Sequence, residues 1–485
     1  MDKSSVIGKL LFQGEIMLES PLIIGGGLDN DGVDISVLKN SDGKAYIPAT
    51  SLAGALRHYF YNNADLDTAN KEINQQLKYF WGDDYDNDKE SESDSDMYQS
   101  ALFISDAYAK ENAKIRIRDG VKISEKGIVD KDNKFDYEVV ERGATFNLKL
   151  EVNLRQEYNE EKNKTFEKTL VFLIRALEKG AISIGAMTTK GFGKCRLVGG
   201  KYYKLDFRNG RDVLYWLSGK WNDKMPEKLE ALEAFDTKGG DFVIDSWFSI
   251  KNSLIVRSYP GNPEDPDAVH ISDSRGYVLP GTSVRGAVRH RAKRIIKTLG
   301  GNEESLIKQL FGDVSKKPKE KTKSRVTVDE TPIKEEDGII SEVQSRIKID
   351  RFTGGTVGGA LFDTMPLWPK KPDSKMVNLR FSIKNWKKGI DDWQAGLLLL
   401  VLKDLWCGDL AIGGEKGIGR GVLEGQEARI TFEGQSIDIV RDKGQEDCSR
   451  ISVTSPAGDN NAEGILQGFV KDLVAKCNGG ECHAG

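Results

Sequence analysis

DISVLKNSDGKAYIPATSLAGALRH, residues 34–58, decides the fold of this chain. It runs from an acid-bearing loop through a turn at Ser41-Asp42-Gly43 to a short strand that stops at Pro48, and then into a helix. Proline ends the strand because it has no N–H for a sheet ladder, and Thr50 or Ser51 offers a hydroxyl to cap the helix. The pattern returns at residues 267–290 as DAVHISDSRGYVLPGTSVRGAVRH. TSLAGALRH and TSVRGAVRH share six of nine residues, and Asp34 and Asp267 each stand nine residues before a turn glycine, Gly43 and Gly276. This is a tandem duplication, so the function should be read from what both copies keep.

The flanks repeat in the same order. Residues 7–24 alternate apolar and polar and predict an opening strand, followed by a glycine-rich loop with Asp29, Asp31 and Asp34. LKYFWGD (77–83) is echoed by IKQLFGD (307–313), and the short strand ALFISDA (101–107) by VTVDE (326–330). Arg118–Val140 and Arg346–Pro366 each read as a strand, a polar turn-rich tip and a return to an aromatic, the pattern of a protruding hairpin. Strands at 145–153 and 376–383 and apolar-striped helices at 164–179 and 393–406 follow. Each copy closes on a glycine-rich turn, Lys190-Gly191-Phe192-Gly193-Lys194 and Lys416-Gly417-Ile418-Gly419-Arg420. Each copy is therefore α+β, a ferredoxin-like or RRM-like sandwich split by insertions. The expected boundaries are 1–205 for the first domain with its hairpin at about 106–145, a linker at 206–243, 244–435 for the second domain with its hairpin at about 326–375, and an extension at 436–485.

Composition narrows the class. The chain has 485 residues, 38% hydrophobic and 30% charged, which is ordinary for a globular protein of several domains. No apolar run reaches the length of a membrane span and the N-terminus lacks a secretory core, so a cytoplasmic protein with no membrane partner is expected. Five scattered cysteines argue against a disulfide framework, and Cys477, Cys482 and His483 match no common zinc spacing. The net charge of −4 hides an acidic stretch at 82–97 and basic ones at 285–297 and 316–325, so an anionic partner is permitted. The glycine turns form neither a dinucleotide fingerprint nor a P-loop, which argues against nucleotide hydrolysis.

Taken together, the first-loop aspartate, YIPATSLAGALR and VLPGTSVRGAVR, the Trp-Gly or Phe-Gly after the helix and the late KGFG and KGIG turns resemble the RAMP superfamily of CRISPR systems. The likeness is to backbone subunits of type III effector complexes, and two copies in one chain resemble the fused subunits of the type III-D group. Ala49 departs from the family's usual glycine, which Gly281 keeps. The resemblance implies two RAMP domains with thumb hairpins lying along a CRISPR RNA. It implies as partners the target RNA, a large polymerase-like subunit, other RAMP subunits and a small subunit. In catalytic members the first-loop aspartate supports cleavage of target RNA with a divalent metal ion, Mg or Mn.

The candidate catalytic residues are accordingly Asp34 and Asp267, although an aspartate in a glycine-rich loop is also a common turn former, and a different register would set His270 opposite Asp34. RNA-backbone binding wants amides, glycine and cations. The helix openings offer Ser51, Gly54 and Arg57 in one copy and Ser283, Arg285, Gly286 and Arg289 in the other. The glycines could instead let the helix pack on its sheet. The turns add Lys190, Gly191, Phe192 and Gly193, then Lys416, Gly417 and Gly419, with Phe192 either stacking on a base or filling the core. Two alternatives remain open at this point. One is a non-catalytic scaffold that binds CRISPR RNA. The other is a CRISPR-RNA-processing endoribonuclease using His58 or His290 as a general acid.

Overall fold

The computed structural model describes residues 5–26, 33–66, 71–82, 99–111, 113–123, 129–260, 262, 264–313, 321–371, 374–442, 451–455 and 461–479. Asp29, Asp31, Cys482, His483 and nearly all of the acidic stretch lie outside them. The chain forms two compact units. The first takes Met1–Gly120, Phe135–Thr188 and Phe192–Lys238, and the second Val121–Lys134, Thr189–Gly191 and Gly239–Gly485.

In the first unit β1 (Val6–Leu18) leads to α1 (Ala49–Asn63), α2 (Lys71–Trp81) and β2 (Leu102–Ile104). The hairpin strands β3 (Ile115–Ile123) and β4 (Val129–Val140) precede β5 (Thr145–Arg155), α3 (Glu160–Glu178), β6 (Cys195–Asp206) and α4 (Gly210–Leu217). The main sheet has the order β2-β5-β1-β6 and is antiparallel throughout, with Phe12 facing Leu150 on one side and Tyr202 on the other. Strand–helix–strand–strand–helix–strand in that order is the ferredoxin-like sandwich. Its core is apolar because alternate strand residues (Leu10, Phe12, Leu148, Leu150) meet the α3 stripe of Phe166, Leu170, Leu173 and Leu177. Strands β3 and β4 form a two-stranded sheet, as the hairpin reading expects, and the base of β4 also bridges Leu22 and Ile35.

The second unit repeats the plan. It runs β7 (Phe242–Ile250), β8 (Ala268–His270), α5 (Gly281–Thr298), α6 (Glu303–Phe311) and β9 (Val326–Val328), then β10 (Gln344–Arg346) and β11 (Phe362–Met365) of the hairpin. It continues through β12 (Val377–Ile383), α7 (Asp392–Trp406), β13 (Leu423–Phe432), β14 (Gln435–Arg441), β15 (Ile451–Thr454) and α8 (Ala462–Cys477). The sheet order is β9-β12-β7-β13-β14-β15, the first unit's four strands with two added at one edge. The described residues of 436–479 are thus built into this unit. Strands β14 and β15 extend the sheet, and α8 lies so close to α7 that a side chain at Gly396 would meet the Phe469 carbonyl. Much of 206–238 is likewise built into the first unit, with Arg175 donating to the Leu229 and Leu232 carbonyls. Among the described residues no helix is long and apolar enough to cross a membrane.

The helix openings differ from expectation in one respect. Neither Thr50 nor Ser51 caps α1. Pro48 is the N-cap, and the Ala49 N–H donates instead to Asp106 Oδ1 at 2.7 Å. Helix α5 likewise starts after Pro280 with no side-chain cap. Ser51 and Ser283 therefore sit inside the first turn, where the Ser283 N–H donates to the Pro280 carbonyl at 3.0 Å.

Candidate nucleic-acid interface

The two acids occupy one equivalent place. Asp34 Oδ2 accepts the backbone N–H of Asp136 at 2.9 Å, and Asp267 Oδ2 accepts that of Asp363 at 2.8 Å. The residue after each acid then runs parallel to the returning hairpin strand, Ile35 beside Tyr137 and Ala268 beside Thr364. Each acid loop is pinned to the base of its own hairpin by one carboxylate oxygen. The other oxygen of each exposed side chain has no partner among the described residues. The alternative register is excluded. Gly25 bridges Val37 and Arg257 bridges His270, so His270 matches Val37 rather than Asp34.

His270 is structural. It is fully buried, its Nδ1 accepts the Val256 N–H at 3.2 Å, and its Nε2 faces the Val278 carbonyl at 2.9 Å. Burial pulls its pKa down to about 4. The unfolded chain therefore binds this proton more readily than the folded one. Stability is whole above the ordinary histidine pKa near 6.5 and falls as pH drops from there toward 4, by roughly 3 kcal/mol. Urea unfolding of the chain across that window should show the loss, and His270→Gln should flatten it.

The helix-opening glycines are not there for packing. A Cβ built on Gly54 or on Gly286 meets nothing within 4 Å. By contrast, one built on Gly281 would sit 2.8 Å from the Val328 carbonyl, which explains that glycine by close backbone approach. Because glycine costs a helix up to about 1 kcal/mol against alanine, Gly54→Ala and Gly286→Ala should each raise stability by a few tenths to about 1 kcal/mol. If the two openings lie against a polynucleotide backbone, the same changes should weaken RNA retention several-fold. A melting curve and a filter-binding isotherm read both.

The glycine turns align two residues away from the match suggested by the similar strings. Gly193 and Gly421 each abut the carbonyl of an isoleucine, Ile184 and Ile412, whose N–H donates back to that glycine. Gly191 and Gly419 share a left-handed φ of 87° and 84°, and Met187 and Glu415 share a φ of 56°. Lys190 therefore corresponds to Ile418, and Phe192 to Arg420. Phe192 is 0% exposed, packed with Ile23, Tyr137 and Val139, so it is core and offers no face to a base. Lys416 and Gly417 stand exposed on the turn, and Gly417 has open space at its Cβ. Lys190 and Gly191 group with the second unit, where burial, then the Arg285 guanidinium, hold Lys190 below the usual lysine range.

Beneath the two acids the floors differ in chemistry. In the first unit Ile23, Tyr137, Val139 and Phe192 make an apolar cluster joined by Met187. In the second, Glu415 stands for Met187 and Arg420 for Phe192, with side chains 5% and 3% exposed. Glu415 binds Arg257 at 2.8 Å, Arg420 at 3.2 Å, and Arg346. Arg420 also reaches Gln344 and Thr364. Burial pushes the Glu415 carboxyl up, but Arg346, Arg257 and Arg420 outweigh it and hold it below its ordinary value. Of these four only Arg420 stood out in the sequence, as the end of the glycine turn and matched there with Lys194. Matching the turns by their paired glycines rather than their lysines would have exposed the Met187-to-Glu415 and Phe192-to-Arg420 exchanges.

The remaining cations divide. Arg285 is half-buried, donates to the Phe311 carbonyl at 3.0 Å and lies over its ring, and burial followed by repulsion from Arg289 lowers it to about 10. Arg289 is exposed, and Arg57 lies over the Tyr61 ring. From the two basic stretches, Arg291 is taken by Asp404 and Arg325 by Asp391. His58 and His290 are exposed on α1 and α5. The second hairpin leaves Ile347, Ile349 and Leu361 exposed and Phe352 wholly so.

A family model described as the RAMP superfamily matches residues 15–196 and again 247–424. No curated protein matches the chain.

Proposed function

Because the chain belongs to the RAMP superfamily, and does so in two tandem copies, we propose that it is a backbone subunit of a type III CRISPR effector complex that cleaves target RNA at two sites. The family's coarser property is binding RNA within a CRISPR effector complex. The observation that carries the finer reading is the repeated pinning of Asp34 and Asp267, each at the base of a protruding hairpin with one oxygen left over. The exposed apolar side chains of the second hairpin suit a wedge that interrupts a guide–target duplex and bends the strand beside the acid.

Among the described residues no three His, Cys, Asp or Glu converge on a metal site. One free carboxylate oxygen fits a hydrated Mg²⁺ or Mn²⁺ held jointly with RNA phosphate, since such ions keep several waters and bind through one or two carboxylates. When bound, the ion supplies charge stabilisation at the reacting phosphate. The chain's part is to hold the acid still through the hairpin amide and to align the 2′-oxygen behind the scissile bond, because orientation is a large share of this barrier.

The test is a labelled target RNA added to the guide-loaded complex with Mg²⁺ or Mn²⁺. Two cuts at fixed positions are expected, abolished by chelation. Tight binding without any cut would leave a scaffold. Metal-independent cutting of precursor RNA, lost in His58→Ala or His290→Ala, would make it a processing enzyme.

A further inference from the structure

The duplication supplies an internal control for one cleft. In the first unit an open cleft of about 350 Å³ lies at the start of α1, lined by Thr50, Ala53, Arg57, Trp81, Ser100 and Ile104. Trp81 is 8% exposed, and its indole N–H has no acceptor among the described residues. That nitrogen is enclosed, as are those of Trp368, Trp386 and Trp406, so the cleft is marked by its shape and not by this donor.

The second unit has the same frame. Ser100 Oγ donates to the Phe80 and Leu102 carbonyls, and Ser324 Oγ to those of Leu310 and Val326, which fixes the correspondence of the two walls. Phe311 then stands for Trp81, and Arg285 for Ala53. There the guanidinium of Arg285 lies 5.5 Å from the Phe311 ring centroid and donates to the Phe311 carbonyl. A planar group of the chain's own thus lies against the aromatic wall of the second unit. In the first unit Ala53 is too short to reach, and the space is left open.

We propose that this cleft receives a single nucleobase from the RNA bound along the first unit. The base occupies the place that Arg285 fills in the second unit and lies against Trp81. The inference rests on the RNA reading above and deepens it. The cleft suits one heterocycle. The α1 opening supplies first-turn amides and Arg57 for the attached phosphate, and base–aromatic stacking tolerates any sequence. The two halves therefore differ. The first unit reads one base by stacking, whereas the second has closed the equivalent place.

The test uses the full chain and a uridine oligomer carrying 5-iodouracil at every position, so that register does not matter. After irradiation, adducts are mapped on tryptic peptides, the diagnostic one being YFWGDDYDNDK at residues 79–89. An adduct on Trp81 is expected. Its yield per retained RNA should fall about tenfold in Ala53→Arg, which copies the second unit, and in Ala53→Leu, which fills the cleft without adding charge. An unchanged Trp81 yield in both variants, or adducts that never include Trp81 although RNA is retained, overturns the cleft assignment alone. Failure of the wild-type chain to retain any RNA overturns the RNA reading and this inference with it.

Discussion

Glu415→Met should destabilise the second unit by about 3–5 kcal/mol, while adding Arg420→Phe to the same chain should recover most of that loss. The reason lies in the four-residue network. Among the described residues Glu415 is the only carboxylate that binds Arg257, Arg346 and Arg420, and Arg420 is almost wholly enclosed. Removing the acid strands a buried guanidinium, and losing one partner of a buried pair costs far more than exchanging both for apolar groups. The first unit carries the exchanged pair at the same two places, Met187 and Phe192, within an apolar cluster. Recovery will be incomplete, because Thr364 stands where Tyr137 fills space in the first unit. Chemical denaturation of the single and double variants reads the coupling. A Glu415→Met variant as stable as the parent, or a double variant that loses the sum of the two, would refute the network's role.

Asp34→Asn and Asp267→Asn should each remove one of two target cuts by about a hundredfold or more, with target binding changed less than about twofold. Asparagine keeps an acceptor for the hairpin amide of Asp136 or Asp363 but not the charge. Asp→Ala loses both, so it should also loosen the hairpin base. Comparing the two substitutions separates anchoring from chemistry. If Asn cuts as well as Asp and only Ala fails, the carboxylates are tethers and take no part in the chemistry.

The fold was legible where both copies repeat a strong local signal. The Pro-ended strand, the helix after it and the period-two strands stand close to where their patterns predict, because apolar periodicity decides which face is buried. The acid equivalence was legible too, since Asp34 and Asp267 keep one spacing to their turn glycines. The glycine turns misled. Lys-Gly-x-Gly repeats as a string, but the backbone is governed by which glycine touches an isoleucine carbonyl and which residues take positive φ. Phe192 reads equally as a stacking ring or as core, and only its enclosure decides. Glu415, Arg346 and Arg420 look like surface charges until the fold brings them together. The exchange of Ala53 for Arg285 is visible in the paired strings, but that it opens a cleft beside Trp81 is not.

The central claim is that both halves lay the same face on one polynucleotide. Amide hydrogen exchange of the full chain, with and without its CRISPR RNA, tests it most directly. The account predicts protection in both helix openings, Ala49–Arg57 and Gly281–Arg289, and around both Asp34 and Asp267, with the outer turns of α3 and α7 unchanged. Protection confined to one half, or absent from both acid loops, would contradict it.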